Sequence, residues 1–268
     1  MLKRRYLLLL LLLSSCEEIV NPDLITADPV VVIDAIVSNT ESKNYVILSK
    51  TSAFNAQGST PKISGANVTL TYSNETVNYT ESDSGKYIPN QDISTSLLSG
   101  QYRLEMEVEN NLYAAEGILP TFILLDSITV SRREEDPSFD DGYYPIIHFT
   151  DPPNEINYYM WEIYLNSEFI SSDDIILNDD EAFEGRSVAY ELPFSIALED
   201  VNVGDTLKVY NYSISSDAYD YYNGLLLLVG SGSPAQAIPD NPVSNIEGGG
   251  LGFFNVCQID STFVLIED

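Results

Sequence analysis

The amino-acid sequence predicts a mainly β protein made of two antiparallel β-sandwich-like domains, the second of which carries one short helix. Two observations support this fold class. Apolar and polar residues alternate with period two in many short segments, and turn-forming residues separate those segments. The 268 residues are 44% hydrophobic and 11% aromatic, which is enough apolar material for the core of one large or two small domains.

The first predicted domain covers residues 29–122 and consists of short strands. Its early segments are rich in β-branched residues, whereas a later one alternates strictly, with Tyr102, Leu104 and Met106 on one face. Two asparagines within residues 109–113 predict a tight hairpin turn. The predicted strands of this domain are residues 30–37, 45–49, 66–72 and 101–108.

Three motifs follow one another in this half of the chain: "ISGANVTLTY", "DSGKY" and "LLSGQYRLEMEV". Their order resembles the small sandwich modules of the prealbumin-like or carboxypeptidase-regulatory type. The first domain is therefore expected to be prealbumin-like or immunoglobulin-like. Pro120 is poorly suited to a central strand and ends the module.

The second predicted domain covers residues 123–268 and contains the helix, near residues 216–229. Ser216 or Asp217 can cap this helix, and apolar residues follow at helical spacing up to Gly230. The most aromatic strand of the chain is predicted at residues 158–166. Its Tyr158, Trp161 and Tyr164 cannot all share one face of a flat strand, so part of this segment must face outward or meet the helix.

The N-terminus predicts a secretory leader. Three cations precede seven consecutive leucines, and this apolar run is too short to span a bilayer, which takes about 20 residues. We interpret residues 1–15 as a signal peptide. The "LSSC" stretch resembles a lipobox, so Cys16 is expected to carry lipid and residues 16–28 to form a tether. The acidic pair that follows Cys16 resembles an export signal to the outer face of the outer membrane.

The charge of the chain limits its possible partners, and its two cysteines limit the possible disulfide bonds. Without the three leader cations, nine Lys and Arg remain against 41 Asp and Glu. Such a chain should be repelled by phosphate backbones, so nucleic acid is excluded as a partner. With Cys16 lipidated, Cys257 is the remaining cysteine, and its alternating apolar surroundings predict a buried, inert thiol.

Four stretches coincide with one family: "FTDPPNEINYYMWEIY", "LNDDEAFEG", "GDTLKVYNYSISSDAYDYYNGL" and "NPVSNIEGGGLGFF". In this order after a lipobox cysteine, they resemble the Bacteroidota lipoproteins of the domain of unknown function 4249 family. Members are often encoded beside TonB-dependent outer-membrane receptors. The resemblance implies an outer-membrane lipoprotein that faces the cell exterior and has such a receptor as its partner, with no catalytic residue to carry over.

Motifs for catalysis are weak. His148, the single histidine, lies in an alternating strand and is expected to be a partly buried strand residue. Ser59 and Lys62 have Ser-x-x-Lys spacing but lie in a turn-like stretch, whereas that motif needs a helix. Residues 248–252 are glycine-rich but lack the Lys-Ser/Thr of a phosphate loop. The chain is therefore expected not to be an enzyme and to need no cofactor, although a carboxylate pair for glycoside hydrolysis could hide among so many acids.

Acidic clusters raise one metal hypothesis, which is Ca²⁺, because carboxylate oxygens are the ligands this ion prefers. The alternative interpretation is that these are solvated acidic loops that keep the protein soluble. Neither cluster has the spacing of an EF-hand loop. The candidates are Asp136, Asp140 and Asp141 in one loop and Asp173, Asp174, Asp179, Asp180 and Glu181 in another.

Three Asp-Ser or Asp-Thr triplets resemble an O-glycosylation signal used in Bacteroidota, which makes Ser127, Thr206 and Ser261 candidate sites. The alternative is that each aspartate accepts hydrogen bonds from turn amides at the start of a strand, and we favour that interpretation.

Tyrosine pairs offer the last pattern: residues 143–144, 158–159 and 221–222. Exposed aromatic residues are frequent in sugar-binding and protein-binding surfaces, but they also fill sandwich cores. Together these features predict a non-enzymatic lipoprotein that captures ligand for a TonB-dependent transporter or caps its mouth. The alternative is a glycan- or protein-binding surface adhesin that acts alone.

Overall fold

A computed structural model describes residues 28–52, 60–94, 97, 99–135, 137–171, 174–230 and 241–267. The leader, the predicted lipidation site Cys16 and almost all of the tether lie outside these ranges, as do Ser59, Asp136 and Asp173. In the described residues, the strands are β1 (Val31–Ser38), β2 (Tyr45–Lys50), β3 (Asn67–Tyr72), β4 (Glu75–Asp83), β5 (Lys86–Pro89), β6 (Gln101–Val108), β7 (Asn111–Ile118), β8 (Leu125–Arg133), β9 (Gly142–Thr150), β10 (Tyr158–Leu165), β11 (Glu168–Phe169), β12 (Ile176–Asp179), β13 (Ser187–Glu191), β14 (Thr206–Ile214), β15 (Ile246–Glu247) and β16 (Leu251–Leu265). The helix α1 spans Ser216–Gly230, and short 3₁₀ turns occupy Glu41–Lys43 and Leu198–Asp200.

Thirteen of these strands form one large mixed sheet. Its order is β11-β10-β14-β16-β1-β2-β5-β4-β3-β6-β7-β15, with β12 on β10. β1 and β16 run parallel and pair from Val32 with Leu251 to Ser38 with Cys257. The other strands form a small antiparallel sheet in the order β13-β9-β8.

The first core lies inside the curl of the large sheet. Alternate residues of β1 to β7 point into it and are almost fully buried, as the strict alternation in β6 shows: Tyr102, Leu104 and Met106 are each 0% exposed. The first half of β16 completes this core with Phe254 and Val256. β7 lies so close to β16 at this point that a Cβ on Gly117 would meet Val256 at 2.6 Å.

The second core lies between the large and small sheets. β10 and β14 contribute residues of the large sheet, and β8 and β9 contribute residues of the small one. Trp161 is stacked on Tyr159 with ring centroids 5.7 Å apart, and Phe183 packs edge-on against Phe149. The second half of β16 adds Val264, and Ile266 follows directly after the strand, so β16 serves both cores.

A third cluster covers the opposite face of the large sheet, where α1 packs. Ala218 of the helix is buried against residues of β14 and β16, including Tyr212, Phe253 and Cys257. The Ser215 side chain accepts a hydrogen bond from the Ala218 amide and so caps the start of the helix. No helix within the described ranges has the length and apolar character needed to cross a membrane.

The mainly β prediction, the helix and the buried Cys257 are confirmed. Two details differ. The domains were expected to be antiparallel throughout, but β1 and β16 pair in parallel, which the more than 200 residues between them permit. The hairpin after β6 turns at Glu109 and Asn110, both with positive φ, and Asn111 already belongs to β7. The boundary at residue 122 stays a prediction.

Candidate functional site

The face of the large sheet that carries α1 is rich in tyrosine, and we call it the tyrosine face. Successive side chains of a strand point to opposite faces of the sheet, so neighbouring tyrosines are separated. Tyr159 points into the second core, whereas Tyr158 points to this face. Tyr158 and Tyr164 thus face away from Trp161. This arrangement agrees with the sequence analysis, which predicted that these three side chains cannot all share one face of the strand. The half-buried tyrosines of this face are Tyr45, Tyr158, Tyr164, Tyr210, Tyr219, Tyr221 and Tyr222.

α1 covers one part of the tyrosine face. Its Tyr219 packs on Tyr158 with centroids 4.9 Å apart, and its Tyr221 is stacked on Phe253 at 4.8 Å. Cys257 lies beneath this layer with 0% exposure, and burial raises the pKa of its thiol. The covered part is therefore packed structure, and the thiol is held protonated and out of reach of reagents.

Lysines lie over the rings of the part that α1 leaves uncovered. Lys43 Nζ is 2.8 Å from Glu162 Oε2 and lies over the rings of Tyr164, Tyr210 and Tyr212. Burial alone would lower the pKa of Lys43, but the hydrogen bond and charge of Glu162, together with Tyr164, outweigh it and raise that pKa.

Two more lysines repeat this arrangement. Lys208 Nζ lies 4.4 Å from the centroid of the Tyr210 ring, and Lys86 Nζ lies 5.3 Å from that of Tyr45. Three of the nine cations that follow the leader therefore lie over tyrosine rings of one sheet face, in a chain with 41 acidic residues. Cations and aromatic planes are concentrated here against the overall charge of the molecule.

An exposed carboxylate lies beside these rings. Asp34 of β1 points to the tyrosine face. Burial raises the pKa values of Tyr45, Tyr221 and Tyr222, and the charge of Asp34 adds to each of these shifts because the three side chains lie near it. Desolvation by the surrounding protein raises the pKa of the Asp34 carboxyl, and the positive charge of Lys62 opposes this shift. An acceptor of this kind, open to solvent and surrounded by aromatic rings, can fix the orientation of a polar ligand.

A cleft of about 470 Å³ adjoins this face beside the Glu41–Lys43 turn. The cleft is lined by Glu41, Ser42 and Asn44 and by Lys86 and Ile88 of β5. Lys86 is shared between the cleft and the Tyr45 ring, so the cleft continues into the tyrosine face. Rings, ammonium groups and hydroxyls can hold a polar or acidic ligand, and they are the groups of a binding surface.

His148, a residue that the sequence does not favour as catalytic, lies away from the tyrosine face. His148 is half-buried on β9 of the small sheet, with Nε2 2.9 Å from Thr129 Oγ1. It is a strand residue with a hydroxyl partner, as the sequence predicts.

The first predicted Ca²⁺ loop forms no common centre among its described residues. Asp140 and Asp141 are exposed at the tip between β8 and β9. Asp141 Oδ1 accepts the amide of Glu135, and Tyr144 Oη donates to the carbonyl of Asp140. These contacts are those of a solvated turn.

The second predicted loop divides between two faces. Asp174 is exposed, and Asp179 points to the tyrosine face opposite Tyr158. The exposed Glu181 donates its amide to Asp179 Oδ1. Asp180 is 5% exposed and points instead into the junction between the two sheets.

Asp180 meets two acids there that sequence reasoning missed. One carboxylate oxygen each of Asp151, Asp180 and Glu184 lies within 4.8 Å of the others, and we call these three residues the junction carboxylates. Asp151 directly follows β9 before two prolines, and Glu184 follows four residues after Asp180. The available signal was an aspartate at the end of a buried strand, but only the fold shows which loops meet.

Hydrogen bonds fix the junction carboxylates in place. Asp151 accepts the Tyr159 hydroxyl on Oδ1 and the Gly185 amide on Oδ2 at 2.9 Å. Asp180 Oδ2 accepts the Asn157 amide at 2.8 Å, and Glu184 Oε1 accepts the amide of Asn154. Burial, with added repulsion from the other two carboxylates, raises the pKa of Asp180 against the opposing Asn157 amide. A hard cation would fit such a donor set.

The three O-glycosylation candidates lie on strands β8, β14 and β16. Ser127 is exposed, whereas Thr206 and Ser261 are half-buried. The neighbouring Asp205 accepts the Asn202 amide at 2.7 Å, and Asp260 accepts the Leu125 amide at 2.7 Å. Asp205 thus binds a turn amide at the start of β14, as the alternative interpretation expects, whereas Asp260 lies within β16 and binds the amide of a distant strand. Modification stays a prediction.

Comparison with known proteins gives one family. A model described as "Domain of unknown function (DUF4249)" matches residues 17–262, which is nearly the whole chain after the predicted lipidation site. No curated protein matches the chain.

Proposed function

The chain belongs to the family described as domain of unknown function 4249, and from that premise we propose that it is a non-enzymatic outer-membrane lipoprotein that captures ligand for a TonB-dependent transporter. The observation that carries the proposal is the tyrosine face, where Lys43, Lys86 and Lys208 stand on aromatic rings beside an open cleft. Acyl chains on Cys16 fasten the body to the bilayer, facing the cell exterior.

The chemistry of the face selects the ligand class. Tyrosine rings stack on sugar and aromatic planes, and lysines bind carboxylate or phosphate oxygens. Most of a chain with 41 acidic residues repels anions, and Lys86 and Lys208 of this face, which form no ion pair in the described part of the chain, are available to attract an anionic ligand. An acidic glycan or a similar ring-bearing anion fits these groups.

Co-purification tests the partnership. Epitope-tagged protein is solubilised in mild detergent from outer membranes of its own host and captured, and the co-eluting proteins are identified by mass spectrometry. A TonB-dependent barrel in stoichiometric amount is expected. Recovery of the lipoprotein without a barrel contradicts the transporter partnership.

Fractionation tests the anchor. A Cys16→Ala variant should leave the membrane fraction, and antibody should label wild-type protein on intact cells. A variant that stays as membrane-bound as wild type would show that the thiol is not the anchor.

A glycan array tests the ligand class and the face together. Full-length protein in detergent is compared with Lys208→Ala and with Lys50→Ala, a matched control because Lys50 pairs with Glu109 away from the tyrosine face. We expect acidic glycans to bind wild type and the control and to bind Lys208→Ala at least threefold more weakly. Glycan binding without any barrel in the co-purification favours the adhesin, and equal binding by all three chains contradicts the tyrosine face as the site.

A further inference from the structure

We propose that Asp151, Asp180 and Glu184 bind a Ca²⁺ ion at the junction between the two sheets. Asp151 is 1% exposed and Asp180 is 5% exposed, and none of the ion pairs in the described part of the chain involves a junction carboxylate. The adjacent cation, Arg186, directs its guanidinium to the carbonyl of Ala182. Buried carboxylates without a counter-charge are strongly unfavourable, so a bound cation resolves the conflict.

A second observation points to the same ligand. Asn157 is 6% exposed, and its side-chain oxygen is buried without a hydrogen-bond partner. The amide of the same residue donates to Asp180 Oδ2, which places Asn157 at the cluster. Asn157 directly precedes β10, whose first residue Tyr158 pairs with Asp179, so Asn157 and Asp180 are the next residues beyond that pair and lie side by side. An unpaired amide oxygen beside three carboxylates is the kind of group that a Ca²⁺ ion takes as a ligand.

The spacing and chemistry of these groups fit Ca²⁺. Ligand oxygens lie about 2.3–2.6 Å from Ca²⁺, so two on opposite sides of the ion are separated by about 4.6–5.2 Å. The three carboxylate oxygens lie within 4.8 Å of one another and can surround one such ion. The donors are all oxygens and come from the two connections that follow β9 and β12, and such an all-protein donor set suits the larger and less demanding Ca²⁺ better than Mg²⁺.

The ion would join parts of the chain that no strand ladder connects. Asp151 follows β9 of the small sheet, Asp180 follows β12 on the large sheet, and Glu184 lies on the connection to β13. A Ca²⁺ ion held by these three side chains fastens the two sheets at one end of the second core. This role is structural and does not depend on the proposed ligand capture.

Terbium luminescence provides a direct test, because Tb³⁺ occupies Ca²⁺ sites and is excited through neighbouring aromatic rings. Tyr159 donates to a junction carboxylate and is stacked on Trp161, so excitation of these rings should sensitise a bound Tb³⁺. Full-length protein in detergent is stripped with chelator and titrated with Tb³⁺, and Ca²⁺ is then added in competition. We expect one sensitised site that Ca²⁺ displaces and Mg²⁺ displaces at least tenfold less effectively.

Two variants with the same charge change locate the site. Glu184→Gln keeps an oxygen for the Asn154 amide and removes one charged ligand, so Ca²⁺ affinity should fall at least tenfold. Glu181→Gln alters an exposed acid three residues away and should leave affinity within twofold. Calorimetry with Ca²⁺ alone gives the affinities, and circular dichroism checks that each variant is folded. Folded wild type that takes up no Ca²⁺ at millimolar concentration overturns the proposal, as does equal weakening in the two variants.

Discussion

The two cores of this molecule are closed by different means. The first core lies inside one curled sheet, so backbone hydrogen bonds run from strand to strand around it, and its interior is almost wholly apolar. The second core lies between two sheets that share no strand pairing, and polar side chains meet at their edge. The contrast shows that where no ladder continues from one sheet to the next, side-chain contacts and buried carboxylates must set the spacing.

The largest expected effect comes from a substitution in β16, the strand that both cores share. Gly252 of β16 has φ +101°, and a Cβ there would lie 1.9 Å from the Ile33 carbonyl oxygen on the parallel neighbour β1. Gly252→Ala should therefore cost at least about 3 kcal/mol of the free energy of unfolding, measured by urea denaturation.

Gly249→Ala is the matched control for that substitution. Gly249 also has positive φ, but a Cβ there would have no atom within 4 Å, so backbone strain alone should cost about 1–2 kcal/mol. Equal losses of stability in the two variants would show that the close approach of β16 to β1 is not the reason why residue 252 must be glycine.

The next comparison asks whether the cores unfold together. Leu104 in the first core and Leu207 in the second are both 0% exposed, so truncation of either to alanine should cost about 2–5 kcal/mol. Trp161 is the single tryptophan and reports on the second core, whereas circular dichroism reports on both. Because β16 crosses both cores, Leu104→Ala should lower the urea midpoint of tryptophan fluorescence as much as that of circular dichroism. An unshifted fluorescence midpoint would mean that the cores unfold independently.

A pair of tyrosines sharpens the difference in polarity between the cores. Tyr159 donates its hydroxyl to Oδ1 of buried Asp151, so Tyr159→Phe leaves that oxygen without a donor and should cost about 1–3 kcal/mol. The hydroxyl of Tyr79 in the first core is buried without a partner, so Tyr79→Phe should be neutral or slightly stabilising. Both values come from chemical denaturation in chelator. A Tyr79→Phe variant that loses as much stability as Tyr159→Phe would refute the contrast.

The smallest effect is expected at the acidic turn outside both cores. Asp140 is exposed at the tip between β8 and β9, and Asp140→Asn should change the free energy of unfolding by less than about 0.5 kcal/mol. Its Ca²⁺ affinity should equal that of wild type in the same calorimetric titration. A large change in either quantity would give this turn a role that its contacts do not indicate.

Local features of the fold were open to sequence reasoning. The alternation in β6 and the helical spacing in α1 each arise within one element, where period two or 3.6 directly reflects which side is buried. The positions of Tyr158 and Trp161 on opposite faces follow from the same rule. The turn after β6 was misplaced by one residue, because Glu109 adopts the positive φ that the neighbouring asparagines favour more strongly.

Contacts between distant segments could not be predicted from the sequence. Nothing in β1 or β16 taken alone indicates that they pair in parallel, since either run suits several partners. Lys43 meets Glu162 across 119 positions, and Asp151 meets Asp180 where two loops close on each other. In a chain with 41 acidic residues, the sequence does not show which distant carboxylates come together. The Ca²⁺ candidates were chosen from acid-rich segments, and most of the described ones are exposed.

The central position of β1 has a mechanical consequence. This strand is the first described element of the chain, and it is paired on both edges, with β2 antiparallel and β16 parallel. A pull delivered just before Val31 runs along the strand axis and strains both rows of hydrogen bonds in shear, so they must rupture together instead of unzipping one by one. A force applied at the N-terminal end is thereby distributed through the middle of the large sheet, and the proposed anchor at Cys16 would load the sheet from that end.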